Sequence, residues 1–329
     1  MGQVLRIGSV GTSKIMEAMQ EAIRMTPGME TKVIGSRSLE RGKEFARKVG
    51  IEDAEVCDCY EQMIQREDID IIYIASPNVY HARQTIEALA QGKHVIVEKP
   101  AAVKAEDVRA MAETARRNGV FFFEAISTIF MPNYLRCKEL LWALGKMKKA
   151  EFCFGRVSSQ YENYLQGKMP SAFNPAMEGG ALNDMGIYCI HTMLDLFGAP
   201  ERTDYQAEYD RNGVDLMGVL TAEYPGMTCR LTTAKDRNVE CGTRLEGENG
   251  WFVQRGTMND FVNCEASIHG TLLPIKQQGK ENRLTYELAR FRDAINEKDT
   301  AFFEKMCWQS ETAADILEKS HGSRNANRY

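Results

Sequence analysis

The sequence predicts an α/β chain: a doubly wound parallel sheet at the N-terminal end, then an α+β domain whose sheet is mainly antiparallel and open on one face. Three observations predict it. Short apolar runs alternate with helical patterns over the first 124 residues, the signature of strand-helix-strand units. The second half carries runs rich in Val, Thr, Tyr and Leu, two of them joined by the tight Pro225-Gly226 connection. The length, 329 residues, suits two domains of roughly 150 residues each.

Taken in order, six strands are expected at residues 4–10, 31–36, 54–57, 70–75, 94–97 and 120–124, with helices near 14–25, 39–48, 60–66, 79–91 and 104–118. Six parallel strands with covering helices match the dinucleotide-binding Rossmann arrangement, whose ligand lies across the carboxyl ends of the strands. Residues 1–124 are therefore assigned to an NAD(P)-binding domain and 125–329 to a substrate-binding and oligomerisation domain. In the latter, a helix over 133–144, a strand over 149–157, a hairpin pairing 214–224 with 227–234, and late helices near 283–295 and 302–319 are expected.

Hydrophobic residues at 43% and charged residues at 26% argue against a disordered or fibrous chain. The 41 Lys and Arg against 46 Asp and Glu give a net charge of -5, and the scatter of the basic residues argues against nucleic acid. No apolar run approaches the roughly 20 residues of a membrane helix. Residues 1–10 read as a strand entering a glycine turn rather than as a signal peptide. Nine cysteines without a Cys-x-x-Cys pair, and no His-x-x-x-His, point to reduced thiols in the cytoplasm and to no catalytic metal.

The chemistry-bearing motifs stand just after strands. Gly8-Ser9-Val10-Gly11-Thr12-Ser13-Lys14-Ile15 opens the first helix, where a pyrophosphate would rest on backbone amides. The glycine fingerprint is imperfect: Ser13 stands at the second glycine and Met16 at the third, and a plain strand-helix turn reads the same way. The second strand ends in Gly35-Ser36-Arg37, where an NAD site carries Asp or Glu. Ser36 can donate a hydrogen bond and Arg37 can pair with a 2'-phosphate, which favours NADP over NAD; a solvated surface arginine is the competing reading. Ser76-Pro77-Asn78 with His81 follows the fourth strand, and Glu98-Lys99-Pro100 the fifth. A lysine at a buried strand terminus can exchange protons near neutrality, unless it is simply paired with Glu98 or another carboxylate. In the second half, Glu178-Gly179-Gly180-Ala181-Leu182-Asn183-Asp184 leads on to Tyr188, His191 and Asp195. Read as one helix, Asp184, Tyr188, His191 and Asp195 share a narrow stripe, a pattern equally expected of a surface helix with its polar face in water.

Glu98-Lys99-Pro100, the Ser76-Pro77-Asn78 loop with His81, and Gly179-Gly180-Ala181-Leu182-x-Asp184-x-Gly186-x-Tyr188 together resemble one family over nearly the whole chain. It is the glucose-fructose oxidoreductase and inositol dehydrogenase (Gfo/Idh/MocA) family, and the last of these segments is most similar to its dimeric dihydrodiol dehydrogenase and NADP-dependent xylose dehydrogenase branch. The resemblance implies an NAD(P)-dependent enzyme interconverting an alcohol and a carbonyl on a sugar, polyol or dihydrodiol. It implies that Lys99 reaches the reacting oxygen, that Tyr188 moves the proton where many relatives carry histidine, and that Asp184 orients that group and the substrate. The polar stripe then faces the cofactor cleft. The expected cofactor contacts are Gly11, Thr12, Ser13, Lys14, Ile15, Ser36, Arg37, Ser76, Pro77, Asn78, His81, Glu98, Lys99 and Pro100.

Phe130, Arg156, Tyr161, Tyr164 and Phe173 are candidates for the wall around a polyhydroxylated small-molecule substrate. A homodimer or higher homo-oligomer is a family-level expectation, and an under-covered antiparallel sheet would give the same result. Two readings compete with the dehydrogenase: an NADP-binding redox sensor without turnover, and a non-redox enzyme that uses bound cofactor transiently.

Overall fold

The opening apolar runs are long enough to be buried on both faces, as a parallel sheet requires. In the computed structural model, which describes residues 4–277, 279 and 282–326, they form β1 (Leu5–Val10), β2 (Met29–Gly35), β3 (Glu55–Cys57), β4 (Ile71–Ile74), β5 (His94–Glu98) and β6 (Phe122–Ala125). Between them run α1 (Lys14–Met25), α2 (Leu39–Val49), α3 (Tyr60–Ile64), α4 (His81–Ala90) and α5 (Ala105–Asn118). All six strands are parallel, in the order β3-β2-β1-β4-β5-β6. Every side chain of β4, and Val95, Ile96 and Val97 of β5, is fully buried. The order reverses between β1 and β4, so the helices that follow those strands lie on opposite faces of the sheet and leave a crevice at the strands' carboxyl ends. Helix α4 starts later than its pattern suggests because Asn78–Tyr80 forms a separate 3-10 turn.

Contacts divide the chain into two units, Met1–Ala125 with Glu281–Glu311, and Ile126–Lys280 with Thr312–Tyr329. The sequence division at residue 124 assigns the 281–311 stretch to the second domain; the contacts assign it to the first. The cause is aromatic stacking. Helix α6 (Pro132–Leu144), α7 (Tyr161–Leu165) and α8 (Ile187–Phe197) belong to the second unit, but α9 (Leu284–Glu297) and the first turns of α10 (Thr300–Ala326) pack on the parallel sheet. Phe291 lies flat on Phe123 with centroids 4.6 Å apart, and Phe303 stacks on Phe121 at 4.9 Å. Arg116 pairs with Glu304, and the Asn282 amide donates to the Ala18 carbonyl of α1.

The second unit is built on eight strands: β7 (Met147–Gly155), β8 (Arg202–Tyr209), β9 (Asp215–Tyr224), β10 (Met227–Ala234), β11 (Gly242–Gly247), β12 (Gly250–Arg255), β13 (Cys264–Ile268) and β14 (Thr271–Ile275). Their order is β14-β13-β12-β11-β7-β10-β9-β8, antiparallel throughout except for the β7–β10 pair. The expected hairpin is present, with Met227 opposite Tyr224. Two-residue alternation sets one face inward: Ala150, Phe152, Phe154, Leu220, Leu231, Leu245 and Phe252 are buried where α6 and α8 pack on the sheet. The other face carries Glu151, Val219, Arg230, Thr232, Arg244, Trp251 and Val253, all partly exposed.

The single helix expected through Asp184 and Tyr188 is not uniform. It begins as a π turn, Leu182–Gly186, and becomes α-helical only in α8. The wider turn breaks the 3.6-residue spacing, and the four polar residues do not form one stripe. His191 is fully buried, and Asp195 accepts hydrogen bonds from Tyr134 and Lys138 of α6 at 2.7 and 2.8 Å. Among the described residues no helix is long and apolar enough to cross a membrane, and no group of three His, Cys, Asp or Glu could hold a metal ion.

His94 at the start of β5 gives the first unit a pH dependence. Its Nδ1 accepts the Phe121 N–H at 3.0 Å, so the folded ring is neutral there, and burial pulls its pKa down to about 4. An unfolded ring takes up its proton near pH ~6.5, whereas the folded one resists until about 4; stability therefore falls as pH drops through that window. Thermal midpoints measured from pH 7 down to 4.5 should decline more steeply for the wild type than for His94→Gln. Parallel declines would remove His94 as a cause.

Candidate active site

A cleft of about 740 Å³ occupies the crevice of the first unit. Gly11, Thr12, Ser13, Ser36, Arg37, Ser76 and Pro77 line it together, with Ser38, Arg41, Asp58, Tyr60, Tyr80, Arg83 and Gln84. The turn after β1 has the shape of a pyrophosphate cradle. Gly11 sits at φ +111°, and a Cβ there would lie 2.9 Å from the Ala75 carbonyl oxygen, so the backbone is pressed against the loop after β4. Ser13 has an ordinary extended backbone; it starts α1 without capping it by its side chain, and its carbonyl accepts the Met16 N–H at 2.9 Å. Met16, at the third glycine position, is fully buried as core.

At the other end of the cleft stand two arginines. The Ser38 hydroxyl accepts the Arg41 backbone N–H and caps α2, which sets Arg37 and Arg41 on the same wall with Ser36. Arg41 was not singled out from sequence; its only signal was its place three residues after a capping serine. The loop after β4 is held by the Ser76 hydroxyl on Gln84 at 2.6 Å, while Tyr60 donates to the Gln84 carbonyl.

Lys14, Ile15, Asn78, His81, Glu98, Lys99 and Pro100 do not line this cleft. His81 lies in the interior, its two ring nitrogens each 2.8 Å from a carbonyl oxygen, of Ser76 and of Pro100. It thus ties the loop after β4 to the loop after β5, and burial pulls its pKa below the ordinary value. Glu98 also points inward, accepting the Tyr73 hydroxyl at 2.6 Å. Burial pushes its carboxyl up in pKa, and the buried Glu287 of α9 is raised well above the usual range by burial and by Glu98 itself. Lys99 is half-buried on the strand end just past that cluster, and the Lys99-Pro100 bond is cis.

The second unit holds the other chemistry-bearing group. Gly180 has φ +141°, and a Cβ on it would lie 2.1 Å from an Asp215 carboxylate oxygen. The buried Asp215 carboxylate accepts the Leu182 N–H at 2.8 Å and the Tyr205 hydroxyl at 2.6 Å, fixing the first residue of the π turn. The Thr233 hydroxyl donates to the Ala181 carbonyl at 2.9 Å, and Asn183 is held between the Glu178 carbonyl and His321. Asp184 emerges from this frame with its side chain 32% exposed, 3.4 Å from the Lys235 ammonium. Tyr188 is nearly buried, its ring edge-to-face with Phe154 at 5.5 Å. Of the proposed wall residues, Phe173 is fully buried and stacks with Tyr164 at 4.7 Å, and Tyr161 leans on both. Asp215, Tyr205 and Lys235 were not foreseen, because none lies near the motif in sequence.

A doubly wound sheet with a glycine turn at its switch point has the architecture of a dinucleotide-binding domain. Residues 5–126 match the Gfo/Idh/MocA oxidoreductase family with its NAD-binding Rossmann fold, and residues 134–253 match the C-terminal domain of the same family. The chain is 31% identical to the uncharacterized oxidoreductase YgjR of Escherichia coli over 89% of both chains. It is 30% identical to the Bacillus subtilis scyllo-inositol 2-dehydrogenase (NADP(+)) IolU over 96% of both, and 32% identical to human trans-1,2-dihydrobenzene-1,2-diol dehydrogenase over 69% of both. In fold it is similar to KijD10, a 3-ketoreductase from Actinomadura kijaniata, at 20% identity and TM-score 0.83 over 96% of this chain and 97% of that one. It is also similar to levoglucosan dehydrogenase, at 19% identity and TM-score 0.84 over 97% of each. The chain belongs to the Gfo/Idh/MocA family of oxidoreductases.

Gly11→Ala should weaken dinucleotide binding about tenfold or more, since the methyl group meets a backbone carbonyl and the positive φ is strained. Titration of NADPH fluorescence measures it. An unchanged Kd would show that this turn does not hold the cofactor.

Proposed function

We propose that this protein is an NADP-dependent dehydrogenase or reductase that interconverts an alcohol and a carbonyl on a sugar, polyol or dihydrodiol. The observation that carries the cofactor choice is the wall formed by Ser36, Arg37, Ser38 and Arg41 at the end of β2, where a ribose-binding carboxylate would stand in an NAD site. Two guanidinium groups beside two hydroxyls suit a 2'-phosphate. The names of IolU, which includes NADP(+), and of the dihydrodiol dehydrogenases support both cofactor and substrate class.

The dinucleotide, when bound, supplies the hydride chemistry; the chain supplies position, charge and protons. Gly11, Thr12 and Ser13, which line the cleft, would hold its pyrophosphate. Lys99 stabilises the negative charge that develops on the reacting oxygen, Tyr188 donates or accepts its proton, and Asp184 orients Tyr188 and the substrate. We further propose self-association through the open sheet face that bears Val219, Thr232, Trp251 and Val253, which light scattering tests by mass.

Arg37→Ala should raise the KM for NADPH roughly 10- to 100-fold and leave that for NADH nearly unchanged, as expected for one lost charge-assisted contact. Equal effects on both cofactors would refute the 2'-phosphate assignment. A screen of sugars, inososes and diketones with NADPH, followed by reverse oxidation, identifies the substrate. On it, Lys99→Met and Tyr188→Phe should each lower kcat about 10²- to 10⁴-fold while NADPH still binds; full activity in both would overturn their roles.

A further inference from the structure

Lys235, just past the end of β10, is a lysine with no exposed surface. Lysine is almost never fully buried unless paired, since removing an ammonium from water costs several kcal/mol. Its surroundings explain how it is tolerated. The ammonium donates to the Ala172 carbonyl, reaches the Gly180 carbonyl and an Asp184 carboxylate oxygen at 3.4 Å each, and lies 4.6 Å from the centre of the Phe173 ring. The ammonium thus meets oxygens of one loop and of the turn that follows it.

We propose that Lys235 is a positioning residue of this enzyme, whose buried ammonium sets the Asp184 carboxylate and the 172–180 loop in a single arrangement. The inference rests on the assignment of Asp184 and Tyr188 given above. The geometry favours positioning over simple space-filling. A methionine would fill the same volume against Phe173 at no desolvation cost, but it would take the ammonium from the Asp184 carboxylate and from the Ala172 and Gly180 carbonyls, leaving those two to the Gly180 and Asp184 backbone N–H groups they also accept. The ammonium is also where two separate parts meet. The loop it fastens carries Phe173, on which Tyr161 and Tyr164 are stacked, and Asp184 stands one helical turn before Tyr188. A single charge therefore keeps the aromatic wall and the orienting carboxylate in register. Asp215 does the complementary work from the other side, through the Leu182 N–H.

The test uses the full-length chain and the substrate found in the NADPH screen. Lys235→Met should lower kcat about 10- to 100-fold and raise the substrate KM, with NADPH affinity unchanged. In a double-mutant cycle with Asp184→Asn, the two losses in kcat should be far from multiplicative, because each removes the same arrangement. Multiplicative losses, or wild-type kinetics in Lys235→Met, would overturn the proposal. Wild-type turnover in Asp184→Asn alone would instead reject the role assigned to Asp184. Should Lys235→Met fold poorly, Lys235→Gln keeps a polar group but loses the charge and the reach to Asp184, and its amide hydrogen exchange over residues 171–186 reads the loop without any turnover. Faster exchange confined to that stretch supports the proposal, and unchanged exchange rejects it.

Discussion

The Asp215 carboxylate is the point on which the chemistry-bearing part of the second unit depends. It is buried, it receives the Leu182 N–H and the Tyr205 hydroxyl, and it approaches the Gly180 backbone so closely that no side chain fits between them. A carboxylate at the start of a helical turn satisfies amides that would otherwise be unpaired and suits the local dipole. Because Leu182 is fixed there, Asp184 and Tyr188 follow at set places along the chain. The π turn between them is not a defect under this constraint; it is the wider coil that lets a chain anchored at Gly180 run on into α8.

The first unit depends on a comparable closeness of backbone. Gly11 against Ala75 draws the loop after β1 to the loop after β4, and His81 joins the latter to the loop after β5. The loop after β1 and the segment carrying Lys99 are therefore coupled by buried contacts beneath the surface. Glu98, Tyr73 and Glu287 occupy the interior behind Lys99, a cluster in which burial favours protonated carboxyls.

Legibility in the sequence followed the range of the interactions. Strand and helix positions in the first unit rest on local periodicity, and all six strands appeared within a few residues of expectation. The β9–β10 hairpin was legible for the same reason, through Pro225-Gly226. Three things were not. Helix α9 joins the first unit through Phe291 on Phe123, a contact across more than 160 positions that no local pattern encodes. The π turn has the same apolar spacing as an α-helix start, so a stripe from Asp184 to Asp195 was a natural reading, yet Asp195 turns to Tyr134 and Lys138. Lys235 sits among Asp236 and Arg237 in a stretch that reads as a solvated strand end; its partners lie 51 to 63 residues away.

The paired glycines at 179 and 180 have a consequence for how such a protein can diversify. A Cβ at Gly179 would come within 2.4 Å of the Ser171 carbonyl oxygen, and one at Gly180 would strike Asp215. Substitution is closed at both. The neighbouring 157–170 stretch, by contrast, is largely at the surface, with Leu165 and Met169 more than half exposed. Exchange or insertion is therefore accommodated in that outer stretch, while the two glycines hold the Asp215 contact and the turn that follows it in place.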